Sequence, residues 1–180
     1  MRTVADHTPS PIGSRRDQPA SRRRLLTKTA PVSASHPLPQ RDGARAPDLA
    51  AALRRELRGE VAFDDYSRHL FSRDASMYSI EPIGVAFPRD ADDVAAAVAV
   101  AAEFEAPVLS RGGGTSLAGQ TVGAALVLDM SRHMDRILEI DPERRLARVQ
   151  PGVVQDDLNR AAGKAGLMFG ADTSTSNRAT

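Results

Sequence analysis

A glycine-rich stretch at residues 111–120, RGGGTSLAGQ, has the composition of an anion-binding loop, and residues 112–120 are called the glycine loop below. Consecutive glycines have no Cβ, so the backbone can adopt positive φ, approach a ligand closely and turn several N–H groups toward one anion. Thr115 and Ser116 add hydroxyl donors. Glycine triplets also form tight turns for purely structural reasons, so the surrounding sequence has to decide between the two interpretations.

Two common phosphate-binding motifs fit this stretch poorly. A dinucleotide fingerprint G-x-G-x-x-G that starts at Gly112 needs a glycine where the chain has Leu117, followed by a helix. A Walker A motif that ends at Thr121 needs a lysine in place of Gln120, because the lysine charge contacts the β- and γ-phosphates. Both motifs are therefore disfavoured.

The elements predicted before the loop are a strand, a helix and a second strand. The apolar run 83–87 predicts the first strand, and Asp90 is expected to cap an alanine-rich helix that extends to about residue 105. Residues 107–110 predict the strand that leads into the loop. The helix is expected to bury Val94, Ala97, Val98, Ala101 and Phe104. This order is typical of α/β structure, which presents loops at a sheet edge.

The rest of the folded region predicts short helices and strands, so the expected fold class is α+β. Residues 61–80 show little periodicity, and 73–78 are expected to form an exposed polar connection. The remaining predicted elements are a helix at 49–58 capped by Asp48, a strand at 125–129, a hairpin of strands 137–141 and 146–150, a helix at 153–164 that buries Val154, Leu158, Ala161 and Ala162, and a strand at 167–169.

Residues 1–46 are predicted to be a disordered basic leader. The chain has a net charge of +1, but residues 1–47 contain nine basic and three acidic side chains. Their Pro, Ser, Thr and Arg content provides too little apolar surface to offset the entropy lost on ordering. Arg22, Arg23 and Arg24 precede no apolar run of the roughly 7–15 residues that a secretory signal needs, so a cytoplasmic location is expected.

Composition excludes several other classes of function. The basic residues of the leader have no aromatic neighbours on which bases could stack, so no nucleic-acid partner is expected. No run reaches the roughly 18 apolar residues of a membrane span. The chain has no cysteine, which excludes disulfides, thiolate metal sites and cysteine nucleophiles within it.

Four blocks of this sequence resemble the flavin-binding domain of the FAD-linked oxidases, the PCMH-type group typified by vanillyl-alcohol oxidase and p-cresol methylhydroxylase. The blocks are RGGGTSLAGQ, LVLDMSRHMDRILEID, ARVQPGVVQDDLN and GLMFGADTSTSNRAT. Within that group the resemblance extends to the long bacterial FAD and iron–sulfur enzymes that oxidise D-lactate or D-2-hydroxyglutarate. It covers about residues 66–180, and the order and spacing of the blocks make it specific.

The resemblance implies that residues 81–180 form the N-terminal part of a PCMH-type FAD-binding domain, preceded by a helical lead-in at 47–80. A small α/β subdomain would be followed by the start of a second one. In this family the glycine loop holds the FAD pyrophosphate, and a later turn and tail approach the flavin. The cofactor-binding residues implied are Arg111, Gly112, Gly113, Gly114, Thr115, Ser116, Gln120, Pro151, Gly152, Asp172, Ser174, Ser176 and Thr180.

Some of these positions also have purely structural interpretations. Gln120 could be a solvated loop amide, and the turn at Pro151 could simply end a strand. Two departures from the family pattern affect the expectations. Ala171 and Thr173 replace prolines usual in the tail, and Thr115 occupies the place of the histidine that attaches flavin covalently in related enzymes. Noncovalent FAD is therefore expected.

The function implied is the oxidation of a 2-hydroxy acid by hydride transfer to FAD, with electrons passed to a further acceptor. The substrate-binding residues and any iron–sulfur cluster would lie beyond residue 180, so the chain is expected to be an N-terminal fragment without catalytic or metal-binding residues. A different class of function remains open. The same loop could serve a noncatalytic module that binds a nucleotide or another phosphate ligand.

Overall fold

The fold is known from a computed structural model, which describes residues 46–180. Four helices and six strands are found within this range, together with a short 3₁₀ turn at Gly163–Ala165. In chain order they are α1 (Ala46–Glu56), β1 (Glu60–Ala62), α2 (Asp65–Phe71), β2 (Gly84–Phe87), α3 (Ala91–Glu103), β3 (Val108–Arg111), β4 (Leu126–Asp129), β5 (Ile137–Asp141), β6 (Leu146–Val149) and α4 (Gln155–Ala162). The predicted α+β class is confirmed.

The sheet topology places the glycine loop at the carboxyl edge of parallel strands. The strand order is β1-β2-β4-β3, with β1 antiparallel to β2 and with β2, β4 and β3 mutually parallel. Every residue of β2 and β4 is buried, whereas β3 lies at the sheet edge, and its last residue, Arg111, pairs with Asp129. Ligands of open α/β sheets bind outside the carboxyl ends of the strands, which is where this loop leaves the sheet.

Helices α1 and α3 cover one face of the sheet and form the main core. Leu53, Ala97, Leu126 and Leu128 are all at most 1% exposed in this cluster. Asp90 caps α3 as predicted, because its side chain accepts hydrogen bonds from the N–H groups of Asp92 and Asp93. One prediction for α3 is wrong. Val98 is 46% exposed and Val100 is buried in its place, since an alanine-rich helix offers more than one apolar face.

A buried carboxylate ties the end of α1 to the start of α3. Asp93 accepts hydrogen bonds from the backbone N–H groups of Arg58 (3.1 Å), Gly59 (2.9 Å) and Arg89 (3.0 Å). Burial alone would raise the pKa of Asp93, but these three donors and the charge of Arg58 outweigh it and lower the pKa. The ionised form is therefore built into the fold.

The N-terminal half also departs from the predictions. Helix α1 begins at Ala46, so Asp48 lies in its first turn rather than at a cap. Helix α2 was not predicted, because its seven residues bury no side chain and show no apolar stripe; Asp64 caps it by accepting from Ser67 N (2.9 Å). The predicted disordered leader otherwise lies outside the described residues.

The C-terminal half confirms the hairpin of β5 and β6 and corrects two elements. Helix α4 begins at Gln155, two residues later than predicted, and Val154 and Leu158 are only partly buried. The strand predicted at 167–169 does not form: Met168 is 72% exposed, and the N–H of Phe169 is bonded to the side chain of Asn159 instead of a neighbouring strand. Between residues 46 and 180 no helix has the length and apolarity to cross a membrane.

Candidate functional site

The glycine loop presents a run of backbone donors without an acceptor in the part of the chain that the structure describes. Within residues 46–180, no hydrogen-bond acceptor is found for the N–H groups of residues 112–116, although those of Ala118 and Gln120 are bonded to the Ser116 hydroxyl. These residues line a cavity of about 390 Å³. Its lining consists of Gly112, Gly113, Gly114, Thr115, Ser116, Leu117, Gln120, Thr121 and Thr180. Unused N–H groups around an opening form an anion-binding concavity.

Positive φ occurs at one glycine of the triplet rather than throughout it. Gly114 has φ 64°, a value that residues other than glycine rarely adopt, while Gly113 has no positive φ. The backbone packs closely around Gly113 and leaves no room for a side chain, because a Cβ there would lie 2.1 Å from the carbonyl oxygen of Arg178. Close packing, and not positive φ, therefore requires a glycine at position 113.

The second half of the loop is closed by its own side chains. The Ser116 hydroxyl accepts from the N–H of Gln120 (3.1 Å) and makes a short hydrogen bond to the side-chain oxygen of Gln120. Gln120 is exposed and lines the cavity. This pair fixes the turn that returns the chain toward β4.

Arg111 lies behind the loop instead of in its cavity. Its guanidinium donates to the carbonyl oxygens of Phe71 (3.2 Å), Thr121 (3.1 Å) and Arg73 (2.7 Å). The guanidinium also lies 5.1 Å from the centre of the Phe71 ring. Burial lowers the pKa of Arg111, although Asp129 and Asp74 oppose that shift. The side chain is thus committed to the backbone around the loop.

A segment predicted to be only an exposed connection supports the loop. The N–H of Ala75 donates to the carbonyl oxygen of Gly114 (3.0 Å), and the Thr121 hydroxyl donates to Asp74 (2.9 Å). Burial would raise the pKa of Asp74, but hydrogen bonds from Ser76 and Thr121 outweigh it and lower the pKa. Asp74 was missed because its partner at the end of the loop, Thr121, is 47 residues away, and nothing in the local sequence indicates that contact.

Residues 171–180, called the tail below, are fastened to the start of α4. The N–H groups of Gln155 and Asp156 donate to the carbonyl oxygens of Ala179 (2.9 Å) and Ser176 (3.1 Å). The buried Gln155 side chain accepts from the Thr173 hydroxyl (2.6 Å) and donates to the carbonyl oxygen of Ala171. Helix α4 has no side-chain cap, so the tail caps it and takes up these two N–H groups. No local pattern in the sequence indicates this role of Gln155.

A second cavity of about 330 Å³ lies on the other side of the tail. Its lining consists of Gly113, Ser131, Asp135, Gly152, Val154, Asp157, Asn177, Arg178 and Thr180. Gly152 packs closely here, because a Cβ would lie 2.3 Å from the carbonyl oxygen of Met130. The two cavities share Gly113 and Thr180.

The structure brings most of the predicted site residues together. Eight line one or both cavities: Gly112, Gly113, Gly114, Thr115, Ser116, Gln120, Gly152 and Thr180. Pro151 is exposed beside Gly152, and Arg111 lies behind the loop. Asp172, Ser174 and Ser176 belong to the tail but line neither cavity.

The charges of the two cavities favour an anion in the first. Among residues 46–180, no acidic side chain lines the cavity at the glycine loop, whereas Asp135 and Asp157 line the second together with Arg178. The first cavity combines unpaired N–H groups with the hydroxyls of Thr115 and Thr180 and contains no lysine. Such a donor set fits a pyrophosphate, which many backbone dipoles can stabilise without a formal positive charge. Among residues 46–180 no cluster of side chains could hold a metal ion.

Comparisons of sequence relate the chain to flavin enzymes. A family model described as "FAD binding domain" matches residues 82–180. The D-2-hydroxyglutarate dehydrogenase of Pseudomonas putida is 44% identical over 141 residues, which cover 76% of this chain and 14% of that protein. Glycolate oxidase subunit GlcD of Bacillus subtilis is 38% identical over 125 residues, which cover 67% of this chain and 26% of that protein. The chain thus spans a small part of each relative.

Comparison of structures identifies the same fold. A p-cresol methylhydroxylase structure superposes with a TM-score of 0.61 at 16% identity, covering 76% of this chain and 28% of that one. The 6-hydroxy-D-nicotine oxidase of Arthrobacter nicotinovorans gives a TM-score of 0.53 at 29% identity, covering 61% of this chain and 24% of that one. Because the family model matches more than half of the chain and the folds superpose, the chain belongs to the FAD-binding domain family and has the PCMH-type fold.

Proposed function

We propose that residues 81–180, positioned by the lead-in at 47–80, bind FAD noncovalently as part of an oxidoreductase that oxidises a 2-hydroxy acid. The observation that carries this proposal is the run of N–H groups at residues 112–116, for which residues 46–180 supply neither an acceptor nor an acidic side chain in the cavity that they line. A flavin dinucleotide supplies the pyrophosphate that such a donor set accommodates. The family match over residues 82–180 supports FAD as the ligand.

The names of the relatives support the substrate class. D-2-hydroxyglutarate and glycolate are both 2-hydroxy acids, and the dehydrogenase and oxidase named for them are 44% and 38% identical to this chain. Bound FAD would supply the acceptor for a hydride, and the electrons would pass to a further acceptor. An iron–sulfur cluster would need ligands from outside this chain, which contains no cysteine.

The residues of this chain would bind and orient the cofactor. The N–H groups of Gly112, Gly113 and Gly114 would donate to the pyrophosphate, together with the backbone and hydroxyls of Thr115 and Ser116. Gln120 would lie close to this loop. The positions that we assign to the flavin side and the second side of the pyrophosphate are Pro151, Gly152, Asp172, Ser174, Ser176 and Thr180. Because Thr115 stands where related enzymes have the histidine that attaches flavin covalently, denaturation should release the FAD.

The full-length gene product provides the test. We expect it to purify with a yellow chromophore that acid denaturation releases as free FAD. Under anaerobic conditions, addition of D-2-hydroxyglutarate, D-lactate or glycolate should bleach the visible absorption of the flavin, whereas L-2-hydroxyglutarate serves as the stereochemical control. A protein that binds no flavin yet binds ATP or inorganic pyrophosphate would contradict the proposal and favour a noncatalytic phosphate-binding module.

A further inference from the structure

Arg111 joins the two ends of the glycine loop. It is the last residue of β3, and its guanidinium donates to the carbonyl oxygen of Thr121, the residue that follows the loop, at 3.1 Å. The same group donates to the carbonyl oxygens of Phe71 and Arg73 at 3.2 and 2.7 Å. The Arg111 side chain therefore connects β3 with the far end of the loop and with residues 71–73.

The position of the guanidinium explains why it is unsuited to direct contact with a ligand. Arg111 lines neither cavity, and its Nη2 lies 2.6 Å from where a Cβ on Gly114 would be, directly behind the loop backbone. Its partners are neutral carbonyl groups and the Phe71 ring. A cation held in this way stabilises the loop conformation instead of presenting its charge to the opening.

A second set of contacts supports the same loop from the same segment. Ala75 N–H donates to the carbonyl oxygen of Gly114 at 3.0 Å, and Asp74 accepts from the Thr121 hydroxyl at 2.9 Å. The middle of the loop and its far end are thus both fixed to residues 71–75. Together with Arg111, these contacts form what we call the brace: Arg111, Asp74 and Ala75.

We propose that Arg111 is a positioning residue that preorganises the glycine loop for the FAD pyrophosphate through the brace and does not touch the cofactor. This inference rests on the proposed function. A planar guanidinium can serve several carbonyl groups in fixed directions, whereas the ammonium of lysine is a compact point charge on a flexible stem. The planar geometry of the Arg111 guanidinium, and not its charge, is therefore the property that FAD binding requires.

The test compares Arg111→Lys with Arg111→Gln in the full-length gene product, with the FAD removed and the Kd for FAD measured at several salt concentrations. Both variants should bind FAD about 10- to 100-fold more weakly, because a poorly ordered loop aligns fewer donors. Since neither loses a phosphate contact, the dependence of Kd on salt should equal that of the wild type. Arg73→Lys is the matched control, because Arg73 is exposed and contributes only its carbonyl oxygen to the brace.

Two further measurements distinguish a local effect on the loop from a general loss of folding and from a protein that does not bind FAD. Asp74→Ala should also weaken FAD binding. The loss of binding free energy in the double variant Asp74→Ala/Arg111→Lys should be smaller than the sum of the two single losses, because both residues belong to the brace. Hydrogen exchange of the Ala75 amide in the FAD-free protein should speed up in Arg111→Lys, while amides of β2 and β4 keep wild-type protection.

Distinct outcomes would overturn the inference. If Arg111→Lys kept wild-type affinity while Arg111→Gln lost both affinity and salt dependence, Arg111 would contact the pyrophosphate by charge. Wild-type affinity in both variants would remove any role for Arg111. If the wild-type protein bound no FAD, the proposed function would fail, and unchanged Ala75 exchange in Arg111→Lys would separately show that the brace does not depend on Arg111.

Discussion

The carbonyl oxygen of Arg178 lies against Gly113, 2.1 Å from where a Cβ on that glycine would be. The tail and the glycine loop therefore pack backbone against backbone, and Gly113 is needed for this contact whatever ligand the loop binds. Thr180 makes a similar approach to Gly112, where a Cβ would lie 1.8 Å from its hydroxyl oxygen. Two of the three glycines in the triplet thus serve the assembly of the site as well as its opening.

Replacement of Gly113 by valine should displace the tail and weaken FAD binding. The new side chain would collide with the backbone at Arg178, and loss of two charge-assisted hydrogen bonds would weaken FAD binding by about two to four orders of magnitude. Flavin fluorescence titration measures the affinity, and tryptic cleavage after Arg178 reports release of the tail. Gly163→Ala, at a position with nothing within 4 Å, is the control. Deletion of residues 1–45, which precede the family match at residues 82–180, should leave the affinity unchanged.

Replacement of Gly114 by alanine should separate backbone strain from cofactor binding. Gly114 and Gly166 have similar positive φ values, 64° and 69°, but a Cβ at Gly114 would lie 2.6 Å from Nη2 of Arg111, whereas one at Gly166 meets nothing within 4 Å. Each alanine should cost about 1–2 kcal/mol of stability from its conformation alone. Thermal unfolding should show this loss in both variants, while FAD titration should show weaker binding in Gly114→Ala only. Equal FAD affinities in the two variants would mean that Gly114 is not part of the binding loop.

Gln155 should control the tail from a distance. Gln155→Ala removes the side-chain bonds to Ala171 and Thr173 and leaves the backbone bond to Ala179. We expect faster hydrogen exchange in the tail and weaker FAD binding, because one wall of both cavities is loosened. Arg160→Ala, on the exposed face of the same helix, is the control. A tail that stays protected in Gln155→Ala would show that the backbone bonds alone hold it.

Asp93 should give the protein a stability that depends on pH. Its pKa in the folded state lies below the ordinary value of 3.8, so its contribution is present above that value and is lost as the pH falls through the lower folded pKa. In Asp93→Asn, one of the three backbone N–H groups would face the amide NH₂ instead of an oxygen and lose its acceptor. The free energy of unfolding should therefore fall by about 1–3 kcal/mol at neutral pH.

Chemical denaturation at neutral pH and at pH values below the folded pKa measures this effect. The difference in unfolding free energy between wild type and Asp93→Asn should shrink at the acidic end. Asp92→Asn, an exposed neighbour in the same helical turn, should show little difference at either pH. A penalty for Asp93→Asn that does not change with pH would contradict an ionised, hydrogen-bonded carboxylate.

The sequence predicted those elements whose signals are local. The buried strand at 84–87, the cap at Asp90 and the β5–β6 hairpin follow from short apolar runs, a capping side chain and turn residues. Helix α2 and the irregular tail lacked such signals, because α2 buries nothing and the tail is ordered by contacts with α4.

The candidate site could be predicted only where the glycines mark it. The loop itself is visible in the sequence, but its support is not, because Arg111, Asp74 and Gln155 act on partners that are 10 to 47 residues away. Arg111 illustrates the difference. The family resemblance implies that it belongs to the cofactor site, and only the structure shows its guanidinium turned to the carbonyl groups behind the loop.

The most direct test of the central claim is amide hydrogen exchange on the FAD-free gene product, recorded with and without saturating FAD and with riboflavin, which lacks the pyrophosphate. If the N–H groups of residues 112–116 bind the pyrophosphate, FAD should slow exchange in the peptide that contains them, and riboflavin should not. Equal protection of that peptide by both ligands, or protection by FAD confined to other parts of the chain, would contradict the assignment of the glycine loop as the pyrophosphate site.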